Sequence, residues 1–384
     1  MNKQTFPCVM LTQIFLPTKG GTAISFDDDF RRLGGKEVHI ITADVPGAAA
    51  FDRTHPNTIH RLTLKRYAWL KPESALIYAK LFFCTLRLAL TRRLDAVFAG
   101  RALPEGFTAW AVARLTRRPV LIYAHGEELT GWGRGGKFKT MRFTLRHADW
   151  VLSNSDFTRK TLIDHIVVEP KRIAVIYPTI DEKRFRPGLP CADLRHEIGL
   201  DEDQKLILSV GRLQRRKGFD TLIRSLPALL DQGLDVHYAL IGIGEDYDYL
   251  TGLAQSLGLE KCVHFLGHVS SEDLPRWYNA CDLFAMPNRD IEGDFEGFGL
   301  VFLEAAASGK PAVAGRSGGT GSAVVDGETG LRVNGEKVKE VTTALAEILW
   351  KPDKAEAFGG KARQRVLANF THKRRVDQIR QLVA

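Results

Sequence analysis

The strongest constraint on what this chain can fold into is a rhythm. Short runs rich in β-branched and apolar residues alternate with helical patterns along its whole length, the signature of parallel strands joined by crossover helices. In the first half the strand-like runs are "PCVMLTQIF", "EVHIITA", "LDAVFAG", "PVLIYAH", "DWVLSNS" and "RIAVIYP". In the second they are "KLILSVG", "VHYALIG", "VHFLG", "DLFAMP" and "PAVAG". The pattern restarts after "PTIDEKRFRPGLPC", whose three prolines mark a linker. The 384 residues are too many for one ordinary core and suit two. The expectation is an α/β chain with two Rossmann-like domains facing each other across a cleft. Residues 1–185 form the first, 186–367 the second, and a last helix over 368–384 packs back on the first. Ligands of such sheets bind outside the carboxyl ends of the strands, so the chemistry is expected in the loops that follow them.

Charge is divided between the halves. The net formal charge is +9, with 29 basic against 17 acidic residues in 1–185 and 25 against 28 in the remainder. The first half is therefore expected to meet something anionic, unless its lysines and arginines are merely solvated. Between Arg53 and Arg93 nine basic residues face the single acid Glu73. Within that stretch "ALIYAKLFFCTLRLALTRR" reads as a basic, strongly apolar helix. It suits an anionic membrane surface, or the covering of a sheet, and the two are not exclusive. No run of eighteen apolar residues predicts a membrane span. The N-terminus reads as a first strand, not a signal peptide. Five scattered cysteines (Cys8, Cys84, Cys191, Cys262 and Cys281) form no C-x-x-C pair, which points to a reducing compartment and to no zinc site.

Several strand-end loops carry residue types suited to a phosphate-bearing ligand. "KGG", Lys19 to Gly21, precedes a helix-like stretch, and Gly20 and Gly21 let backbone N–H groups approach a phosphate. His125 in "YAHGEEL" stands just after a strand, where it can donate to a ligand oxygen or simply pack. In "SVGRLQRRKGFD", Gly211 is followed by Arg212 and Lys217, two cations able to grip a diphosphate. Arg215 and Arg216 of the same loop read instead as a solvated basic turn. "LIGIGEDY" offers Gly242 and Gly244 but lacks the third glycine of a dinucleotide fingerprint, which removes the dehydrogenase reading. "GWGRGGKF", Gly131 to Phe138, approaches a P-loop but ends in phenylalanine where Mg²⁺ needs a hydroxyl. "DDD" at 27–29 reads as the polar face of a helix and "DYD" at 246–248 as a helix start, not as metal sites.

The most specific segment is "EGFGLVFLEAAASGKP". A helix beginning near Leu300 places the backbone N–H groups of Phe298, Gly299, Leu300 and Val301 at its N-terminus, an anion site. Glu296 precedes them with Gly297, and Glu304 lies one turn inside. An acid, a row of amides and a second acid match the hydroxyl, phosphate and hydroxyl of a sugar nucleotide. A non-catalytic assembly or nucleic-acid-binding protein would account for the charge but not for this arrangement. A sugar-nucleotide epimerase or hydrolase would share the diphosphate grip and stays open at this point.

Glu296-x7-Glu304 in "EGFGLVFLEAAASGKPAVAG", with "GRLQRRKGFD", "YAHGEEL", "SNSDFTRKTL" and "KGG", resembles the retaining glycosyltransferases of family 4, which have the GT-B fold. Within that family "HGEELTGW", "AMPNRD" and "AGRSGG" most resemble phosphatidylinositol mannosyltransferases, which use GDP-mannose. The resemblance spans essentially the whole chain. It implies a nucleotide-diphosphate sugar as co-substrate, no metal cofactor, and a lipid-linked or glycan acceptor in cell-envelope synthesis. UDP-glucose and UDP-GlcNAc are the alternative donors. It further implies a cytoplasmic enzyme, peripheral on the inner face of the membrane, with no nucleic-acid partner. Arg212 and Lys217 would hold the donor diphosphate, Glu304 the ribose hydroxyls and Glu296 the sugar hydroxyls. His125 would approach the reacting carbon, with Gly20 and Gly21 on the phosphate side. Retention would proceed on one face, the leaving phosphate taking the acceptor proton. Two departures stand out. After "SGG" the family continues x-Pro-Glu, whereas this chain has Gly321 and Ser322, and the tail carries His372 where a tryptophan is usual.

Overall fold

In a computed structural model, the structure describes residues 5–18, 20–66, 73–126, 129, 135–201 and 203–383. The chain divides into two compact units, Met1–Pro178 with His372–Ala384, and Thr179–Thr371.

The first unit holds a seven-stranded sheet: β1 (Cys8–Leu11), β2 (Val38–Ala43), β3 (Thr58–Leu62), β4 (Ala96–Ala99), β5 (Val120–Ala124), β6 (Trp150–Ser153) and β7 (Ile173–Val175). Their order is β3-β2-β1-β4-β5-β6-β7, and every pairing is parallel. The second unit holds β8 (Lys205–Val210), β9 (Val236–Ile241), β10 (Val263–Gly267), β11 (Leu283–Met286), β12 (Ala312–Gly315) and β13 (Gly330–Val333). Their order is β10-β9-β8-β11-β12-β13, again all parallel. Helices cover both faces, so central strands such as β1 ("CVML") are buried at every position. Chain direction along each sheet reverses once, between β1 and β4 in the first unit and between β8 and β11 in the second. Those two points are where open α/β sheets leave a crevice for ligands.

Two strands lie outside the sequence expectation, and both are sheet edges. β3 ("TIHRL") is only half-buried at each position, and β13 ("GLRV") is half-buried at its two central residues. An edge strand need not be apolar on both faces, so its sequence carries a weaker signal.

The C-terminal helix His372–Gln381 belongs to the first unit. Val376 and Ile379 join the core formed by Met10, Phe26, Phe30 and Phe98. Arg375, 5% exposed, pairs with Asp29, 1% exposed, at 2.7 Å and donates to the Ile176 and Tyr177 carbonyls. "DDD" is therefore not a solvated helix face. Asp27 and Asp29 are both buried, Asp27 held by His55 at 2.6 Å, and only Asp28 is partly exposed. Their partners lie too far along the chain for local sequence to reveal. Burial raises the Asp29 carboxyl against the pull of the Arg375 guanidinium.

Helix Ala75–Thr91 covers the sheet with one side, as one of the two expectations had it. Ile77, Leu81, Leu88 and Ala89 are buried on the sheet side, while Leu76, Phe83, Arg87 and Leu90 are exposed. Among the described residues, no helix is long and apolar enough to cross a membrane.

Candidate active site

The turning point of the second sheet brings together residues from both of its flanking loops. β8 ends at Val210, and the loop after it runs through Gly211 and Arg212 into a single 3-10 turn at Arg215–Lys217. β11 ends at Met286, followed by Pro287, Asn288 and the acidic loop to Glu296. The Arg289 backbone N–H donates to the Arg216 carbonyl at 2.9 Å, and the Arg289 guanidinium pairs with Asp220 at 3.0 Å. These contacts fix one loop against the other.

Glu296 is the centre of this junction. Its Oε2 accepts from Lys217 Nζ, from Arg216 Nη1 at 3.2 Å and from Asn288 Nδ2 at 3.2 Å. The Glu296 and Lys217 side chains are 13% and 12% exposed, so water screens the pair little. The Glu296 carbonyl accepts from Gly319 N–H at 2.7 Å, tying the loop after β12 to the same point. Two buried polar atoms in these loops have no partner among the described residues: Asn288 Oδ1 and Ser317 Oγ. Buried polar atoms are nearly always bonded, so such orphans mark room for a ligand or water.

Arg216 corrects the expectation of a solvated basic turn. It bridges Glu296 and Asp294, the latter at 3.2 Å, and is only partly exposed. Arg215 is engaged too, lying over the Tyr249 ring at 3.3 Å and pairing with Asp246. Arg212 is exposed and has no carboxylate within ion-pair distance among the described residues, leaving its guanidinium available. Lys217 and Glu296 are thus brought together, and Arg212 stands apart from them.

Glu304 sits within helix Leu300–Ala307, whose other buried residues are apolar. Burial raises its carboxyl above the usual range, opposed by the Tyr278 hydroxyl and by Arg184. The Tyr278 hydroxyl donates to Oε2 at 2.6 Å. Tyr278, fully buried, fixes the carboxylate, and nothing in "LPRWYNACDL" signalled that role. The helix opens without a side-chain cap, so its first amides are not taken by a neighbouring side chain. Gly299 stands at φ 89°, and a Cβ there would lie 2.6 Å from the Phe302 ring. Only glycine allows this entry, which sets Leu300 and Val301 in the first turn, with Gly297 and Phe298 just ahead.

Gly211 and Gly242 end adjacent strands. A Cβ on Gly242, at φ 147°, would fall 1.9 Å from the Gly211 carbonyl oxygen. A Cβ on Gly244 would fall 2.4 Å from the Leu213 carbonyl oxygen, so "GIG" packs against the basic loop.

In the first unit the predicted residues flank the β1–β4 turning point. Gly20 precedes and Gly21 opens the helix Gly21–Leu33, both exposed; Lys19 lies outside the described residues. His125 follows β5 and is held edge-on by Phe26 of that helix. Its Nε2 donates to the Gly100 carbonyl at 3.0 Å, so that nitrogen carries a proton directed at the backbone. Glu105, fully buried, accepts from the Gln13 N–H at 2.9 Å and lies 3.4 Å from Arg101, bracing the loop after β1. "ALPEGFTAW" gives no hint of that role. Residues 131–134 of the P-loop-like stretch lie outside the described residues. Among the described residues, no three His, Cys, Asp or Glu side chains are grouped to hold a metal ion.

Comparison with known proteins agrees with this architecture. Residues 24–184 match the model for Glycosyltransferase Family 4, and residues 192–365 match Glycosyl transferases group 1. The chain is 30% identical to GDP-mannose-dependent alpha-(1-6)-phosphatidylinositol monomannoside mannosyltransferase of Mycolicibacterium smegmatis over 98% of both chains. It is 31% identical to the protein of the same name from Mycobacterium tuberculosis over 94% of both. Among solved structures, Anabaena HepE in complex with UDP superposes with a TM-score of 0.81 at 21% identity, covering 98% of this chain and 99% of that one. A glycosyltransferase from Rickettsia africae superposes with a TM-score of 0.82 at 16% identity, covering 99% and 98%. With relatives of this identity along nearly its whole length, the chain belongs to the family 4 glycosyltransferases of the GT-B fold.

Proposed function

We propose that this glycosyltransferase moves mannose from GDP-mannose to a hydroxyl of a lipid-linked or glycan acceptor, retaining the anomeric configuration. The observation that carries the reading is the Glu296 junction at the turning point of the second sheet. There a carboxylate held by Lys217, Arg216 and Asn288 precedes the uncapped helix that carries Glu304. The names of the mycobacterial relatives support the donor and the lipid-linked acceptor.

In this reading the donor diphosphate draws Lys217 away from Glu296 and adds Arg212, the exposed cation of the same loop. Released from Lys217, Glu296 turns to the sugar hydroxyls, while Arg216 and Asn288 keep its carboxylate oriented. Glu304, fixed through one oxygen by Tyr278, takes the ribose hydroxyls with the other. As the glycosidic bond stretches, charge grows on the diphosphate. Lys217, Arg212 and the opening amides at Phe298–Val301 meet that charge with groups already in place. No step needs a covalent nucleophile: the leaving phosphate accepts the acceptor proton on the face it vacates.

The acceptor side is assigned to the first unit. Leu76, Phe83 and Leu90 are 38%, 68% and 71% exposed on one stripe of helix Ala75–Thr91, with Arg87 between them. Such a stripe suits shallow contact with an anionic lipid surface on the cytoplasmic side.

Purified protein should be challenged with GDP-mannose, UDP-glucose and UDP-GlcNAc. Its thermal midpoint and the transfer of labelled sugar to a phosphatidylinositol lipid extract are then read. GDP-mannose is expected to stabilise the protein and to label lipid. A preference of tenfold or more for a UDP-sugar would overturn the donor. Release of free mannose with no labelled lipid or glycan would favour a hydrolase.

A further inference from the structure

At the β13 edge of the second sheet, apart from the Glu296 junction, lies a cavity of about 570 Å³. Four cations line it, Arg316, Arg332, Lys337 and Lys339, with three acids, Asp326, Glu340 and Glu347. The near balance of charge is deceptive, because two of the acids are paired with cations and the third, Asp326, is bonded to backbone. Glu340 pairs with Arg316 at 2.7 Å and accepts the Asn334 N–H at 3.0 Å. Glu347 pairs with Lys354, and Asp326 accepts the backbone N–H of Arg332 at 2.8 Å. Arg332, Lys337 and Lys339 are left with no carboxylate in ion-pair range among the described residues. Both lysines are exposed, but Arg332 is half-buried. Its Nε is enclosed without a partner, and Nη2 reaches only Thr320 Oγ1 at 3.4 Å. Burial, reinforced by Arg316, lowers the pKa of the guanidinium while Asp326 opposes it. A guanidinium and two ammonium groups around one cavity match a phosphate group: bidentate from the arginine, point charges from the lysines.

We propose that this cavity binds a phosphate-bearing small molecule and that its occupancy is felt at Glu296. The connection is short. Arg332 covers Gly321, where a Cβ would meet Nη1 at 2.8 Å, so the guanidinium occupies space that any larger residue would fill. Thr320, which Arg332 touches, bonds the Gly315 carbonyl at 2.6 Å through its hydroxyl. Gly319, next along the same turn, donates to the Glu296 carbonyl at 2.7 Å. An anion that draws the guanidinium into the cavity therefore loosens it from the segment that supports Glu296. The departure from x-Pro-Glu at Gly321 and Ser322 is what gives Arg332 its place.

The binding claim stands apart from the proposed donor, and only its effect on Glu296 rests on that reading. Inorganic pyrophosphate is titrated calorimetrically, at constant ionic strength, into wild type, Lys217→Ala, Arg332→Met and the double variant Lys337→Glu/Lys339→Glu. The expected result includes, beside any binding at Lys217 and Arg212, a component that persists in Lys217→Ala and weakens at least tenfold in the other two. The lysine pair is exposed, so that variant is expected to fold even if Arg332→Met does not. Pyrophosphate binding lost in Lys217→Ala alone, or unchanged in the lysine variant, would overturn the proposal. Phosphatidylglycerol vesicles are the second arm: lysine-dependent vesicle binding without pyrophosphate binding would make the ligand a lipid surface and overturn it equally. Saturating pyrophosphate is further expected to change the KM for GDP-mannose by at least threefold more in Arg332-containing protein than in Arg332→Met, which reports the direct competition at Lys217 and Arg212 alone. An equal change in the two, with binding intact in the first, would overturn the coupling.

Discussion

Replacing Lys217 by Ala isolates the contact on which the active-site reading turns. The Lys217–Glu296 pair is nearly enclosed, with 12% and 13% of the side chains exposed. Removing one member of a fully buried pair costs about 3–5 kcal/mol when its partner is left without compensation. Glu296 is not left so, because Arg216 and Asn288 still donate to it, each at 3.2 Å. The expected loss in Lys217→Ala is therefore about 1–2 kcal/mol, and the fold survives. Glu296→Ala costs a similar amount for a different reason: it leaves Lys217 and Arg216, two cations converging on one point, to repel each other. If the two side chains interact as the geometry shows, the double variant loses less than the sum of the singles, by about 1–2 kcal/mol. The assay is denaturant unfolding of the four proteins, taking the transition of the second unit, because a two-unit chain need not unfold in one step. In the transfer reaction Lys217→Ala should lower kcat/KM by about 10²–10³, the effect of removing one preorganised donor that faces developing charge. Additive stabilities would show the pair to be energetically idle. A kcat/KM within threefold of wild type would remove Lys217 from the diphosphate.

Three further perturbations probe other parts of the fold. Gly299→Ala forces a side chain into φ 89° and against the Phe302 ring, so it should cost at least about 1–2 kcal/mol and weaken donor binding; an unchanged melting temperature would refute the assigned entry to the helix. Arg375→Met leaves Asp29 buried without its cation, at a cost of about 3–5 kcal/mol, and should expose the C-terminal helix to limited proteolysis, whereas wild-type resistance would contradict the docking. His264 is depressed to about 4 by burial and by His237, whose own value is lowered by burial. Both imidazoles are neutral in the fold, so their contribution is complete above the unfolded value of about 6.5 and is lost as pH falls from there toward 4. Allowing for partial exposure, about 1–2 kcal/mol should disappear by pH 5. His264→Gln should flatten the pH–stability curve over that range; an unchanged slope between pH 6.5 and 5 would refute it.

What could be read from the sequence follows from where each element sits. Strands buried on both faces, such as β1 and β11, appear as unbroken apolar runs, and the loops after them could be located directly. Edge strands β3 and β13 need only one apolar face and escaped notice. The same distinction governs the side chains. Lys217 and Glu296 were legible because each closes a loop at a strand end. The partners of the intervening arginines were not. "RLQRRK" gives no means of telling that Arg215 turns to Asp246 and Tyr249 while Arg216 turns to Glu296, 80 residues away along the chain. A 3-10 turn rotates successive side chains by about 120°, so neighbours in sequence diverge in space. Asp27 and Asp29 in "DDD" make the same point, since their partners His55 and Arg375 lie 28 and 346 positions onward.

If the proposed donor site is right, the Lys217–Glu296 pair also constrains how the donor is recognised. Lys217 already holds an anion, Glu296, so a diphosphate must displace a carboxylate before it gains that cation. A nucleotide without a sugar takes Lys217 but offers Glu296 nothing in return. Glu296 then keeps only Arg216 and Asn288, and the lost pair counts against binding. A sugar nucleotide supplies hydroxyl donors to the same carboxylate and restores what was lost. The exchange therefore penalises the bare nucleotide, and so the product, relative to the complete donor. On this reading GDP should bind more weakly than GDP-mannose in wild type, and the gap should shrink in Glu296→Ala, where no carboxylate remains to be left underbonded. Discrimination of this kind comes from a polar group that only the correct ligand satisfies. It needs no contact beyond those that Lys217, Arg216 and Asn288 make with Glu296.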